Sequence, residues 1–193
     1  MKTNKAVNTQ KLVVCAILTA MVIILQFLGS FIKFGTFSVS LVLVPIVIGA
    51  AVCGTYAAAW LGLVFGAVVL ISGDASLFLA VNPIGTFITV LLKGILCGLA
   101  AGLVYKALAR TSLYPAVIAA AIVCPLVNTG VFLLGCFAFF MQPVSEWAAA
   151  LGFGSDITSY MIFVLVGANF LFEMGFNIIL SPAVVRLLKI KIK

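Results

Sequence analysis

The sequence predicts an all-α membrane protein, a six-transmembrane-helix bundle with both termini cytoplasmic. Three observations lead there: 65% of the 193 residues are hydrophobic, only 8% are charged, and the apolar residues fall in long runs separated by Gly, Pro and polar breaks. Soluble domains carry about 25% charged residues, so a soluble fold is excluded. The net charge of +7 comes from 11 Lys and Arg against four Asp and Glu. A chain this apolar presents no broad polar surface to a nucleic acid, so the basic excess is expected to set membrane orientation instead.

A crossing takes about 20 apolar residues. The first run, about Leu12 to Ile32, follows Lys2, Lys5 and Lys11. It is long enough to span and lacks a clear small-residue cleavage site before a soluble domain, so it is expected to be a helix and not a leader. The second (about Val39 to Cys53) and third (about Tyr56 to Ile71) are short, and only the Cys53-Gly54-Thr55 turn divides them, which predicts a tight helical hairpin. The fourth runs from about Gly85 to Ala107 and the fifth from Pro115 to Phe140. The sixth, Ile157 to Leu188, exceeds what a bilayer needs and should tilt or extend past the surface. No polar linker divides the chain, so residues 1–193 are expected to form one domain embedded in the bilayer, with no room for an attached ATPase or catalytic domain.

Charge placement orients these spans. Lys2, Lys5, Lys11, Lys106, Arg110, Arg186, Lys189, Lys191 and Lys193 fall on one side, and Lys33 falls on the other with Asp74, Glu146 and Asp156. By the positive-inside rule the first side is cytoplasmic, and the longer loops around Lys33 to Ser38, Ser72 to Pro83 and Met141 to Asp156 face outward. Two ionisable residues remain inside spans, Lys93 in the fourth and Glu173 in the sixth. A charge near the bilayer centre costs about 2.5–3.5 kcal/mol on insertion scales, so each is expected to face the protein interior or a wet cavity. Lys93 lies about 12 Å below the outer end of its span at 1.5 Å per residue, so it can meet Glu173 at overlapping depth. The pair either fixes helix packing or contacts a ligand, directly or through water.

Asn169, Glu173 and Asn177 recur every four residues and share one helix face. Asn82 caps the outer start of the fourth span, and Asn128 with Thr129 interrupts the fifth. Each asparagine alone could simply bond a neighbouring helix. Together, with Phe34, Phe37, Phe78, Phe87 and Phe132 as walls, they suit a small-molecule pocket loaded from outside. Glycines four apart, at Gly94, Gly98 and Gly102 and again at Gly62 and Gly66, form ridges that let helices approach closely. Ala16 and Ala20 have the same spacing and form either another such ridge or a flat face for a different membrane protein.

Catalysis is poorly provided for. Histidine is absent, and the five cysteines lie in or beside apolar runs without zinc-ligand spacing. No cofactor, metal site or catalytic residue is therefore expected. A self-sufficient proton-coupled secondary carrier is the alternative class, with Glu173 as proton relay, but the two halves of the chain show no matching broken-helix signals. A purely structural subunit would bind no ligand at all.

The chain resembles the substrate-binding S component of energy-coupling factor (ECF) vitamin transporters. The resemblance rests on length, six spans, the Ala16/Ala20 pair, Val44-Pro45-Ile46-Val47-Ile48-Gly49-Ala50 in the second span, Leu92-Lys93-Gly94 with its trailing glycines, and Phe176-Asn177-Ile178-Ile179 in the last. It implies a prokaryotic multi-pass membrane subunit that captures a vitamin or related micronutrient from outside, with pantothenate first and riboflavin or folate next. The pocket would be built by the last three spans and capped by the outer loops. By the same resemblance, Ala16 and Ala20 would contact a membrane scaffold T component, which couples to two ABC-type ATPases, and the chain itself would hydrolyse no ATP.

Overall fold

The computed structural model describes residues 2–31, 33–34, 37–38, 41–154 and 156–192, with the side chains of residues 2–8, 33–34, 37–38, 168 and 187–192 outside the description. The order is α1 (Lys2–Ser30), β1 (Lys33–Phe34), β2 (Phe37–Ser38), α2 (Leu43–Val52), α3 (Thr55–Ile71), α4 (Ser76–Val81), α5 (Pro83–Leu108), α6 (Leu113–Phe139), α7 (Met141–Ala150) and α8 (Ile157–Ser159), then a π-helical stretch Tyr160–Gly167 and α9 (Ala168–Ile192). The expected helical architecture is present, with one two-stranded antiparallel pairing between β1 and β2.

Among the described residues, three helices are long and apolar enough to cross a membrane: α1 over Thr9–Ser30, α5 and α6. Ile157–Gly167 and Asn169–Arg186, joined at a 40° bend, count as a fourth when taken together as one span. The last apolar run is thus a broken helix, where the sequence suggests one long tilted span. The α2–α3 hairpin turns at Gly54, whose φ of 105° favours glycine. Its arms have 10 and 17 residues, about 15 and 25 Å at 1.5 Å per residue. Both are shorter than a hydrocarbon layer of about 30 Å. Two of the loops that the sequence places on the outer side fold into short helices, α4 and α7.

Local chemistry explains the helix starts nearest the functional region. Asn82 takes an extended conformation before Pro83, and its Oδ1 accepts from the Gly85 amide at 3.0 Å. Proline then costs nothing at a position whose N–H has no helical partner. Asp156 caps α8, accepting from the Ser159 amide at 3.1 Å and from its hydroxyl at 2.7 Å. Those two bonds hold the Asp156 carboxyl below the ordinary carboxylate range.

The tightest packing is the antiparallel contact of α3 with α5. A Cβ on Gly94 would run into the Gly62 carbonyl, one on Gly98 into the Ala58 carbonyl, one on Gly66 into the Val90 carbonyl and one on Gly102 into the Thr55 backbone. The two glycine ridges seen in the sequence therefore pack on each other, backbone to backbone. At the ends of these helices, Lys11, Lys106 and Arg110 line one groove with the Gly54 turn. Three of the nine basic residues grouped by sequence on one side of the membrane are thus close in space.

Gly94→Ala should lower stability by about 2 kcal/mol, because backbone cannot yield as a side chain can. Gly130→Ala, whose Cβ meets nothing within 4 Å, should be neutral or slightly stabilising. Thermal unfolding of both variants in detergent checks this, and equal tolerance of the two would remove the α3–α5 contact as the bundle's tightest constraint.

Candidate functional site

Buried apolar side chains form two clusters. The larger joins α1, α2, α3, α5, α6 and α9 through residues such as Val22, Ile46, Leu61, Phe65, Cys97, Cys124 and Val185. The smaller joins α4, α6, α7 and the π-helical stretch through Phe78, Cys136, Phe140, Val144, Tyr160, Met161 and Leu165. A cavity occupies the seam, with Val69, Ala75 and Val90 of the first cluster on one side and Phe78, Phe140 and Leu165 of the second on the other. Its volume is about 80 Å³, so it is narrow.

Into this seam the helices deliver polar groups. Gln26 comes from α1, Asp74 from the α3–α4 connection, Thr86, Thr89 and Lys93 from α5, Asn128 and Thr129 from α6, and Asn169 and Glu173 from α9. Thr86, Thr89 and Lys93 follow an i, i+3, i+7 pattern and so share one face. The Lys93 Nζ lies 5.4 Å from the Phe132 ring centroid and 5.6 Å from that of Phe65, a distance at which rings attract a cation. Phe78 anchors the aromatic wall, meeting Phe132, Phe140 and Trp147 edge to face at 5.6, 5.0 and 5.5 Å.

Both carboxylates are held by amide donors. Gln26 Nε2 donates to Asp74 Oδ2 at 2.6 Å, and Ser72 Oγ donates to the same oxygen at 3.2 Å. Asn128 Nδ2 donates to Glu173 Oε2 at 3.5 Å, at the long limit of such a bond. Among the described residues, Gln26 Oε1, Thr89 Oγ1, Asn128 Oδ1 and Asn169 Oδ1 are buried without a hydrogen-bond partner. All four residues line this cavity. Such atoms normally find a partner, because an unmet acceptor in an apolar setting costs about 1–3 kcal/mol.

The structure brings four of the six binding residues expected from sequence, Lys93, Asn128, Asn169 and Glu173, to one cavity, with Phe78 and Phe132 in its wall. It places the others differently. Asn82 spends its side chain on capping α5 and is not among the lining residues. Asn177 is buried, but its Nδ2 donates to the Glu173 carbonyl at 2.9 Å, one turn away along α9. Phe87 is 49% exposed and faces out of the bundle. Phe34 and Phe37 have side chains outside the described residues. Asp74, expected as a plain outer-loop charge, instead lines the cavity because Gln26 and Ser72 draw its carboxylate inward.

Gln26, Thr86, Thr89 and Asp74 were missed from sequence. A glutamine in the middle of the first apolar run was a visible signal, and so was the α5 threonine stripe leading to Lys93. Asp74 carried none, since only the chain's return after α3 sets it beside α1. The π-helical stretch ends just before Asn169. A π turn adds a residue to the helical cycle and re-aims the side chains beyond it. At Gly167 a Cβ would meet the Ile162 carbonyl at 2.8 Å, so glycine suits this turn.

Comparison with known proteins assigns the class. The family model described as the ECF transporter, substrate-specific component, matches residues 10–185, and the chain belongs to that family. No curated protein and no solved structure matches. The protein is thus a membrane-embedded substrate-binding subunit of an ECF importer, a transport component and not a catalyst.

Of the two tryptophans, Trp60 donates to Thr19 Oγ1 at 3.3 Å on an exposed face, whereas Trp147 packs on Phe78 of the cavity wall. In a Trp60→Phe variant, ligand entry should change the emission of Trp147. Adding Lys93→Met removes a charge from the cavity and should shift the half-saturating concentration by about tenfold or more. A titration with unchanged midpoint would exclude Lys93 from the binding site.

Proposed function

We propose that the chain captures a vitamin or related micronutrient outside a prokaryotic cell and passes it inward as one subunit of an ABC-type importer. In this proposal it crosses the membrane six times with both termini cytoplasmic, α2 and α3 serving as a shallow pair of crossings. The observation that carries it is the seam cavity, a narrow polar chamber in an otherwise apolar bundle. Asn82, Lys93, Asn128, Asn169, Glu173 and Asn177 are its proposed functional residues, with Asn82 and Asn177 acting as positioning residues through the α5 cap and the Glu173 backbone.

Orientation is supported by the shared groove of Lys11, Lys106 and Arg110, which gathers cationic ends at the face expected to be cytoplasmic. The cavity residues Gln26, Asp74 and Thr86 sit near the opposite ends of α1, α3 and α5. That suits a site open to the outside. The sequence favours pantothenate on the strength of Lys93 as a carboxylate partner. Asp74 in the same wall weakens that ground, while the narrow space weighs against the bulkier riboflavin and folate.

Partner contact is proposed for α1. Ala16, Ala20, Ile23 and Phe27 form an exposed row at helical spacing. The alanines make it flat enough for a close helix–helix approach by the scaffold T component, which would couple the chain to two ATPases. Ala16→Trp and Ala20→Trp should therefore abolish ATP-driven uptake by the reconstituted importer and leave ligand binding within about twofold of normal, since neither lines the cavity. Uptake that survives both substitutions would sink this assignment, and uptake by the chain alone in liposomes would replace the importer with a secondary carrier.

A further inference from the structure

The walls of the cavity constrain the charge of its ligand. Among the described residues its ionisable lining residues are Asp74, Lys93 and Glu173, two carboxylates to one ammonium. An unbalanced charge between two apolar cores is costly unless a partner offsets it. One cation thus shares the cavity with two anions.

Hydrogen-bonding capacity is skewed in the same direction. Because Gln26 Nε2 and Asn128 Nδ2 are engaged by the carboxylates, the orientation of each amide is set and its oxygen is left as an acceptor. Those two oxygens, with Thr89 Oγ1 and Asn169 Oδ1, are the buried side-chain atoms without a hydrogen-bond partner among the described residues. Gln26, Thr89 and Asn128 are only 1%, 4% and 5% exposed, so bulk water does not serve them. Surplus acceptors call for a ligand rich in N–H or O–H donors. Among the described residues an anion would find Lys93 alone to pair with, and would face two carboxylates and several bare oxygens.

We infer that the ligand of this cavity is a small organic cation: a protonated nitrogen with N–H donors seats between Asp74 and Glu173, and the rest of the molecule lies against the Phe78–Phe132 wall. Aromatic faces favour such a ligand, as they favour Lys93. The inference rests on the chain being the substrate-capturing subunit.

Calorimetry on the intact protein in lipid nanodiscs at pH 7 tests it, with tyramine and pyridoxamine as protonated-amine probes, riboflavin and pyridoxine as uncharged ones, and pantothenate and nicotinate as anions. A cation should bind most tightly, and pyridoxamine should bind better than pyridoxine, which has a hydroxyl in place of the ammonium. Asp74→Asn, which keeps an acceptor for Gln26, should weaken the best cation by about tenfold or more, as expected for the loss of one charged hydrogen-bond acceptor. Glu173→Gln should act in the same direction and serves if the first variant does not fold. An anion as the tightest ligand, or a cation whose binding is unchanged or improved by both substitutions, would overturn the charge inference and leave substrate capture standing. If neither the panel nor the small-molecule fraction of yeast extract binds, substrate capture fails, and the inference with it.

Discussion

Everything around the cavity depends on how closely α3 and α5 approach. Glycines let the two backbones touch at four successive levels, from Gly66 against Val90 to Thr55 against Gly102. Van der Waals contact drives association in a membrane, where lipid is as apolar as the side chains, so backbone proximity has a large share in fixing geometry. Gly94 lies in that contact and Lys93 precedes it, about 100° around the helix at 3.6 residues per turn. With Gly94 held against Gly62, Lys93 is aimed between α3 and α6, over the rings of Phe65 and Phe132. The depth and direction of the one described cation in the cavity follow from a glycine.

The second determinant is the division of the interior into two apolar clusters. One continuous core would have closed over the polar side chains at a cost none of them could recover. Because α4, α7 and the π-helical stretch pack as a separate unit on Phe78, Phe140 and Met161, a seam is left along α5, α6 and α9. Amide side chains secure the carboxylates within it, and the charges are positioned before any ligand arrives. This arrangement is what substrate capture by a subunit of its family requires: a preformed polar chamber inside an apolar shell.

Much of this was legible in the sequence. Lys93, Asn128, Asn169 and Glu173 stood out because polar groups are expensive in hydrocarbon, and they do line one cavity. The glycine ridges were legible for the same kind of reason, since spacing by four has meaning on any helix. Less legible were roles set by contacts between distant segments. Asn177 shares a helical face with Glu173 yet bonds to that residue's backbone, a choice made by local geometry. Phe87 was placed in the wall by composition alone and points outward, because the Thr86, Thr89 and Lys93 face of α5 takes the interior.

By itself the sequence determined the class of protein: an apolar, charge-poor helical chain with two ionisable groups left inside its spans, because the bilayer penalises every charge by depth whatever the fold. Only the tertiary structure decided which charged side chains share the cavity. Asp74 and Gln26 are 48 residues apart and meet at 2.6 Å, since the α2–α3 hairpin returns the chain to the end of α1. That meeting turns an expected lysine–glutamate pair into a cavity with two carboxylates, and side-chain charge is local enough that no pattern along the chain could have announced it.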